Sequence, residues 1–520
     1  MQKILDCVGN KMNDKLLKQC FIYTFILGLI AHGYGFTNLL ISHDSLNSFS
    51  IANQWPKAGL GRIFYVFYIT LTRGRIVLPW MIGVLTLCWI SLAVYLIVRI
   101  FQTEDKWFVM VVAGICVTNP SVYATAATYM HDLDANAFAL FLAVFAVVLW
   151  RKSKLCSDRK KKVILLTIAA IILSITLGIY QSYISVTITL IILLSIYDLL
   201  NKEKGARVLS VGLTGIAMLG ATAVLYLVEL KVFSKLTGIS AMNSDYYNSL
   251  GNMSSVLSGN VFAKIVDTYK SFFTAYKNFI HTSDPEPLFL MVLFILAVGI
   301  LYIGVLGLMK MHWTERAIFI LLGLLMPFGM NISSFLSNGM FHVLMQYAVW
   351  FFYLTALVLL FWFLGEKSIS EKIKKIFFPV IMLCLFLIII ENIQTANTIY
   401  VKKNLEAQST LSYMTRVADK MEEQKEYIPG ETPVVFIGEY AVGVERAGFE
   451  KYEVIVGAGS KSPITYESTY KKYFRYVLGR VIEVEDSSQL KTDERVLKMP
   501  VFPKEGSISM IGDVLVVKLK

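Results

Sequence analysis

Long apolar blocks alternate with short polar stretches as far as about Ile393, and the blocks run near twenty residues without the strict alternation of a barrel strand. A bilayer core of roughly 30 Å takes about 20 helical residues to cross. Lipid offers no partner for free backbone N–H and C=O groups, so blocks of this kind are expected to be helices. The pattern predicts about eleven spans: Cys20–Leu40, Val77–Arg99, Trp107–Ala124, Leu133–Trp150, Val163–Ile179, Tyr183–Leu200, Val208–Leu230, Leu288–Leu308, Ala317–Phe335, Val343–Leu364 and Ile376–Ile393.

Beyond Asn392 the pattern changes. Tyr400–Gln424 is polar, with Leu405, Leu411, Met414, Val417 and Met421 near helical spacing. Short β-rich runs follow at Pro433–Ile437, Tyr452–Val456, Arg475–Val484 and Val514–Leu519. The expected architecture is therefore a polytopic α-helical membrane domain over 1–395, with loops 41–76 and 231–287, and a small α/β domain over 396–520.

Charge placement predicts an orientation. Lys3, Lys11, Lys15 and Lys18 precede the first span. Arg151 to Lys162, Lys202 to Arg207, Lys310 to Arg316 and Lys367 to Lys375 fill later loops. All fall on one side if the spans number about eleven, and that side is the cytoplasm by the positive-inside rule. The N-terminus is then cytoplasmic, and the C-terminal domain is extracytoplasmic. The first outer loop breaks the rule with Lys57, Arg62, Arg73 and Arg75, so those cations call for another explanation.

Composition sharpens this picture in three places. The net charge of +12 sits in short runs between apolar blocks, which argues for membrane orientation and against nucleic-acid binding. The six cysteines form no CxxC pair and none lies in the polar C-terminal stretch, so neither a disulfide framework nor a zinc site is expected. The first apolar block follows many polar residues and lacks a cleavage pattern, so it is read as a retained span. The inner loops are far below domain size and carry no GxxxxGK[ST] or Rossmann-type GxGxxG. If the chain is a transferase, its activated donor must then be presented from the lipid; if it is a transporter, it is not driven by its own ATPase.

Candidate chemistry gathers at the outer helix ends, where membrane-depth charges tend to be functional. Ser42-His43-Asp44-Ser45 follows the first span, and Asp44 either caps an interfacial helix or serves a reaction. Tyr129-Met130-His131-Asp132-Leu133-Asp134 stands at the mouth of the fourth span. One aspartate there is an N-cap favoured by the helix dipole. Residues two apart do not share a helix face, so both reach one site only if Asp132 precedes the first turn. Asp132 and Asp134 can bind a divalent cation, or hold an acceptor hydroxyl beside a base. Lys57, Arg62, Arg73 and Arg75 flank Ile63–Leu71, a run too short to span and read as interfacial. Their chemistry suits phosphate oxygens, on a substrate or on lipid headgroups.

Tyr180, Gln181 and Tyr183 at a tight outer turn, Glu229, and His342 beside Asn331 and Asn338 are further candidates, and His32 reads as a satisfied core histidine. No G-x-S-x-G elbow and no HExxH is found in an outer loop. An acid, a second acid cluster and phosphate-type cations fit sugar transfer from a lipid phosphate. The competing reading is a transporter or flippase of a lipid-linked saccharide. That reading calls for paired polar breaks near the midplane, whereas the polar residues here sit at outer helix ends.

The stretch Gly35–Trp55 with His43-Asp44, the Gly59-Leu60-Gly61-Arg62 run, Leu71-Thr72-Arg73-Gly74-Arg75, His131-Asp132-Leu133-Asp134-Ala135 and Gly178-Ile179-Tyr180-Gln181-Ser182-Tyr183 resemble the bacterial Gtr type II glucosyltransferase family in order and spacing. The resemblance covers most of the membrane part. It implies a GT-C-type fold and inverting transfer of glucose from polyprenyl phosphate, at the bacterial cytoplasmic membrane, to a surface polysaccharide or lipid-linked glycan. Carried over by position, Asp44 is the base, Asp132 and Asp134 are site acids, and Arg73 and Arg75 contact phosphate, with Lys57 and Arg62 beside them. His43, His131, Tyr180, Gln181, Tyr183 and His342 fall to substrate binding.

Overall fold

The computed structural model describes residues 15–42, 45–48, 54–74, 77–239, 260–280, 287–337, 342–440, 462–464 and 467–519. His43, Asp44, Arg75, Asn338 and the expected strand Tyr452–Val456 lie outside the described residues. The chain is a polytopic helical membrane protein. Among the described residues, 9 helices are long and apolar enough to cross a membrane.

The helices are α1 (Lys15–Thr37), α2 (Tyr65–Arg73), α3 (Pro79–Ile100), α4 (Lys106–Val117), α5 (Pro120–Tyr129), α6 (Leu133–Lys154), α7 (Arg159–Ile179), α8 (Ile184–Leu200), α9 (Gly205–Thr237), α10 (Val261–Ile280), α11 (Pro287–Met309), α12 (Trp313–Met330), α13 (Phe351–Gly365) and α14 (Glu371–Glu422), with α15 (Glu467–Tyr473) near the C-terminus. Each expected span falls on helix. The third and fourth lie in one run, Lys106–Lys154, whose 49 residues α5 and a tight turn interrupt. The tenth is the shorter α13. The last span and the expected helix Tyr400–Gln424 form a single 52-residue helix, α14, which passes through residue 395 without a break.

Most residues of α6 are buried, and it packs against α3 and α7. Glycine permits close packing where a side chain would collide: a Cβ at Gly178 would stand 2.3 Å from the ring of Phe64. At one end α6 carries Asp132 and Asp134, and at the other Arg151 and Lys154. Arg151 holds the Asp198 carboxylate through two bonds of 2.5 and 2.6 Å, and Lys154 adds a third of 2.7 Å. His32 donates and accepts between Tyr400 Oη at 2.8 Å and the Val117 carbonyl at 2.7 Å, so it ties α1 and α4 to α14 as a satisfied core residue.

The C-terminal part holds a four-stranded sheet of order β2-β1-β4-β3, with β1 (Pro433–Ile437), β2 (Glu483–Val484), β3 (Ile508–Ile511) and β4 (Val514–Lys518). β1 runs parallel to β2 and β4, and β3 is antiparallel to β4. Strand alternation divides the apolar residues between two faces. Val434, Phe436, Leu515 and Val517 join Met414, Val417 and Met421 of α14, while Val435, Ile437 and Val516 meet Val496. The run Arg475–Val484 is strand only at Glu483–Val484. Before it, α15 continues into a wide helical turn, Phe474–Leu478, closed by Gly479 at φ +67°, because Tyr473 and Phe474 are buried under the sheet.

Candidate active site

The site begins with two changes of backbone at the acid end of α6. Met130–Asp132 is a 3-10 turn, and the α-helix starts at Leu133. Asp132 occupies the N-cap position, yet its side chain caps nothing. Asp134 lies one step inside the first turn, where the helix dipole favours an anion. Asp132 therefore precedes the first turn, the condition under which the two carboxylates reach neighbouring partners.

Those partners come from the segment 54–73. Lys57 Nζ binds Asp132 Oδ1, and Arg62 Nη1 lies 3.5 Å from Oδ2. His131 Nε2 is 3.4 Å from the same carboxylate. Arg73, at the far end of α2, donates from Nε to Asp134 Oδ2 at 3.1 Å and from Nη2 to the His131 carbonyl. α2 presents Tyr65, Tyr68 and Arg73 on one face at helical spacing. Tyr65 Oη donates to the His131 carbonyl at 3.1 Å, and Tyr68 Oη to the Asp134 carbonyl at 3.3 Å.

The loop before α2 is fixed by three contacts. Tyr226 of α9 donates to the Gly61 carbonyl at 2.9 Å, Gln181 donates to the Leu60 carbonyl at 2.8 Å, and Phe64 N donates to the Gly178 carbonyl at 2.8 Å. Gly61 has φ +83°, a region that costs a residue with a Cβ. A Cβ there would also stand 2.4 Å from Tyr226 Oη and 2.8 Å from Gln181 Nε2. Trp55 packs its ring on Phe233 and Phe67.

The three expected cations among the described residues differ in accessibility. Lys57 and Arg62 keep 17% and 22% of their side chains exposed, against 1% for Arg73. Burial draws the Lys57 ammonium down to about 8, opposed by the Asp132 carboxylate beside it. Arg62 stacks over Tyr180 at 4.5 Å, and Lys57 over Tyr65 at 4.4 Å. Tyr180 is followed through ring contacts by Tyr183 and then Tyr347, at 5.9 and 5.5 Å. His342 is exposed, ahead of the turn Val343–Met345. Glu229 accepts from Ser174 Oγ at 2.8 Å.

The structure thus brings together Lys57, Arg62, Arg73, His131, Asp132, Asp134, Tyr180 and Gln181. Among the described residues, no three His, Cys, Asp or Glu side chains group as a metal cage. Tyr65, Tyr68 and Tyr226 belong to this centre as well. Sequence reasoning passed over the first two by treating Ile63–Leu71 as an interfacial run, although their spacing with Arg73 marks a polar stripe on one helical face. Nothing in the sequence pairs Tyr226 with Gly61.

The side chains present can neutralise and orient an anionic group, since two partly open cations flank a buried carboxylate at the mouth of a helix. A family model described as Glucosyl transferase GtrII matches residues 33–363, which contain every residue of this centre. No curated protein and no solved structure matches the chain. The match spans well over half of the chain, which therefore belongs to the GtrII glucosyl transferase family as a membrane-embedded glycosyltransferase.

Proposed function

We propose that this protein transfers glucose from a polyprenyl-phosphate donor to a cell-surface polysaccharide or lipid-linked glycan, with inversion, at the outer face of a bacterial cytoplasmic membrane. The observation that carries the reading is the convergence of Lys57 and Arg62 on Asp132, with both cations partly open to solvent. A lipid phosphate is a good leaving group and needs no general acid, unlike the alkoxide released by a glycosidase. What it needs is positive charge where the departing phosphate gathers electrons, which Lys57 and Arg62 supply. Asp132 holds those two cations in place and sets their spacing.

In the reaction the acceptor hydroxyl oxygen attacks the anomeric carbon. The bond from that carbon to the phosphate oxygen breaks, and the polyprenyl phosphate leaves with the electron pair. The hydroxyl proton passes to a carboxylate, the role assigned to Asp44. Its neighbours support that assignment. Ser42 and Ser45 are hydrogen-bonded to each other, and Ser42 Oγ donates to the Thr128 carbonyl at 2.6 Å, four residues ahead of Asp132. Orientation follows from the basic cluster at the opposite end of α6, which belongs in the cytoplasm by the positive-inside rule.

The test is transfer by the purified protein in lipid, with polyprenyl-phosphate glucose and a glycan acceptor, scored for the anomeric configuration of the product. Transfer is expected, and Asp44→Asn is expected to abolish it while donor binding persists. Glucose taken from a soluble nucleotide sugar, with the lipid donor inert, would overturn the reading.

A further inference from the structure

The C-terminal sheet lies wholly outside the stretch matched by the family model, yet one residue of the membrane part is built into its core. Leu46 is fully buried in the cluster formed by Met414, Val417 and Met421 of α14 with Phe436, Tyr473 and Leu515. The turn that carries it, Ser45–Ser48, packs on α15 on one side and on the turn Met130–Asp132 on the other. Ile41, just before it, packs against the same core. Ser42 fixes the start of this segment to the Thr128 carbonyl, and the two serines lock its backbone.

We infer that the C-terminal α/β unit is a positioning device for the reaction, and that it acts through Leu46, whose burial pins the turn Ser45–Ser48 against the turn that presents Asp132. Leu46 touches no reacting atom, so it is a positioning residue. The physical ground is that a buried leucine is held by many small contacts and has one home. The neighbouring serine bonds are buried as well, but each contributes less, net of the water bonds it replaces, than a fully buried leucine. With Leu46 seated, the turns Ser45–Ser48 and Met130–Asp132 form one packed layer. Without it, the layer is free to open on the side of the sheet.

This inference rests on the proposed site at Asp132, and its test separates the two. Leu46→Ala, Leu46→Met and Met414→Ala are made in the full chain and reconstituted in lipid. Two readouts are taken: kcat and KM for the lipid donor, and hydrogen exchange of the backbone amides over 128–134. Leu46→Ala and Met414→Ala are expected to lower kcat on the order of tenfold to a hundredfold, the effect of a small misplacement of a reacting constellation. KM for the donor should stay within about threefold, because Lys57 and Arg62 remain. Exchange over 128–134 should quicken in both, and Leu46→Met should restore both readouts. Unchanged exchange over 128–134 in a folded Leu46→Ala protein would overturn the inference, and so would faster exchange with wild-type kcat. If the wild-type protein transfers nothing from the lipid donor, the proposed function fails, while the exchange result still decides whether Leu46 sets this turn.

Discussion

Arg73 and Asp134 form a closed pair: Nε meets Oδ2 at 3.1 Å, and the two side chains are 1% and 0% exposed. The same guanidinium also holds the His131 carbonyl. Its donors are thus turned toward protein, and the pair fastens α2 onto the start of α6. Asp134→Asn leaves a buried guanidinium without its counter-charge, at a cost of about 3–5 kcal/mol. Thermal unfolding of the solubilised protein should show a clearly lowered Tm. Arg73→Lys should lower it as well, because an ammonium cannot reproduce the fork. A variant with unchanged Tm and lost donor binding would move Arg73 to the phosphate.

Arg62 is the open counterpart. Arg62→Ala removes one charge-assisted contact, of about 1.5–3 kcal/mol, from the site proposed for the phosphate. kcat/KM for the lipid donor should fall on the order of tenfold to a hundredfold, with kcat lowered too, because the charge that Arg62 meets grows as the phosphate departs. Steady-state kinetics at varied donor concentration check this. Unchanged kcat/KM would place Arg62 outside the phosphate site.

Lys57 makes a prediction about pH. Its ammonium is drawn down by burial to about 8, so it is charged below that value and neutral above it. An ammonium that helps hold a phosphate is lost as pH rises, so kcat/KM for the donor should decline through pH values near 8. Lys57→Arg keeps its charge and should carry the profile past that limb. A limb that persists unchanged in Lys57→Arg would assign it to another group.

Gly61→Ala combines a strained φ with a collision at Tyr226 Oη and Gln181 Nε2. The loop from Lys57 to Arg62 must shift, so kcat/KM for the donor should fall by at least the factor seen for Arg62→Ala. A Tyr226→Phe background clears one hydroxyl but leaves the positive φ, so it should rescue only in part. Full rescue would mean that the collision alone mattered.

Much of this arrangement was legible in the chain. Apolar blocks of bilayer length mark the helices because lipid admits only helices and closed barrels, and these blocks lack the alternation of barrel strands. The odd cations of the first loop and the two aspartates at the mouth of α6 mark the centre because each breaks a rule, one of orientation and one of helix faces. The pairing within that centre was not legible. Arg73 and Arg62 look alike in sequence, and only packing buries one and leaves the other open. The continuity of α14 was hidden because its pattern turns from lipid-facing to polar where the helix leaves the apolar layer, which reads as a boundary. Strand β3 was missed because Ile508–Ile511 is short and follows a Gly-Ser turn, whereas β1 and β4 carry runs of valine.

The unbroken α14 has a consequence of rotational phase. Tyr400 is held by His32 on the membrane side, and Met414 and Val417 face the sheet, with only helix between them. Each residue turns a helix by about 100°. A single residue inserted between Tyr400 and Met414 would swing the sheet about a quarter turn around the helix axis, while lengthening it by only about 1.5 Å. Seven inserted residues bring it back to within about 20° of its original bearing, one heptad further out. A heptad restores the bearing but lifts the sheet by about 10 Å, off Leu46, so α14 specifies the compass direction and the Leu46 contact specifies the height.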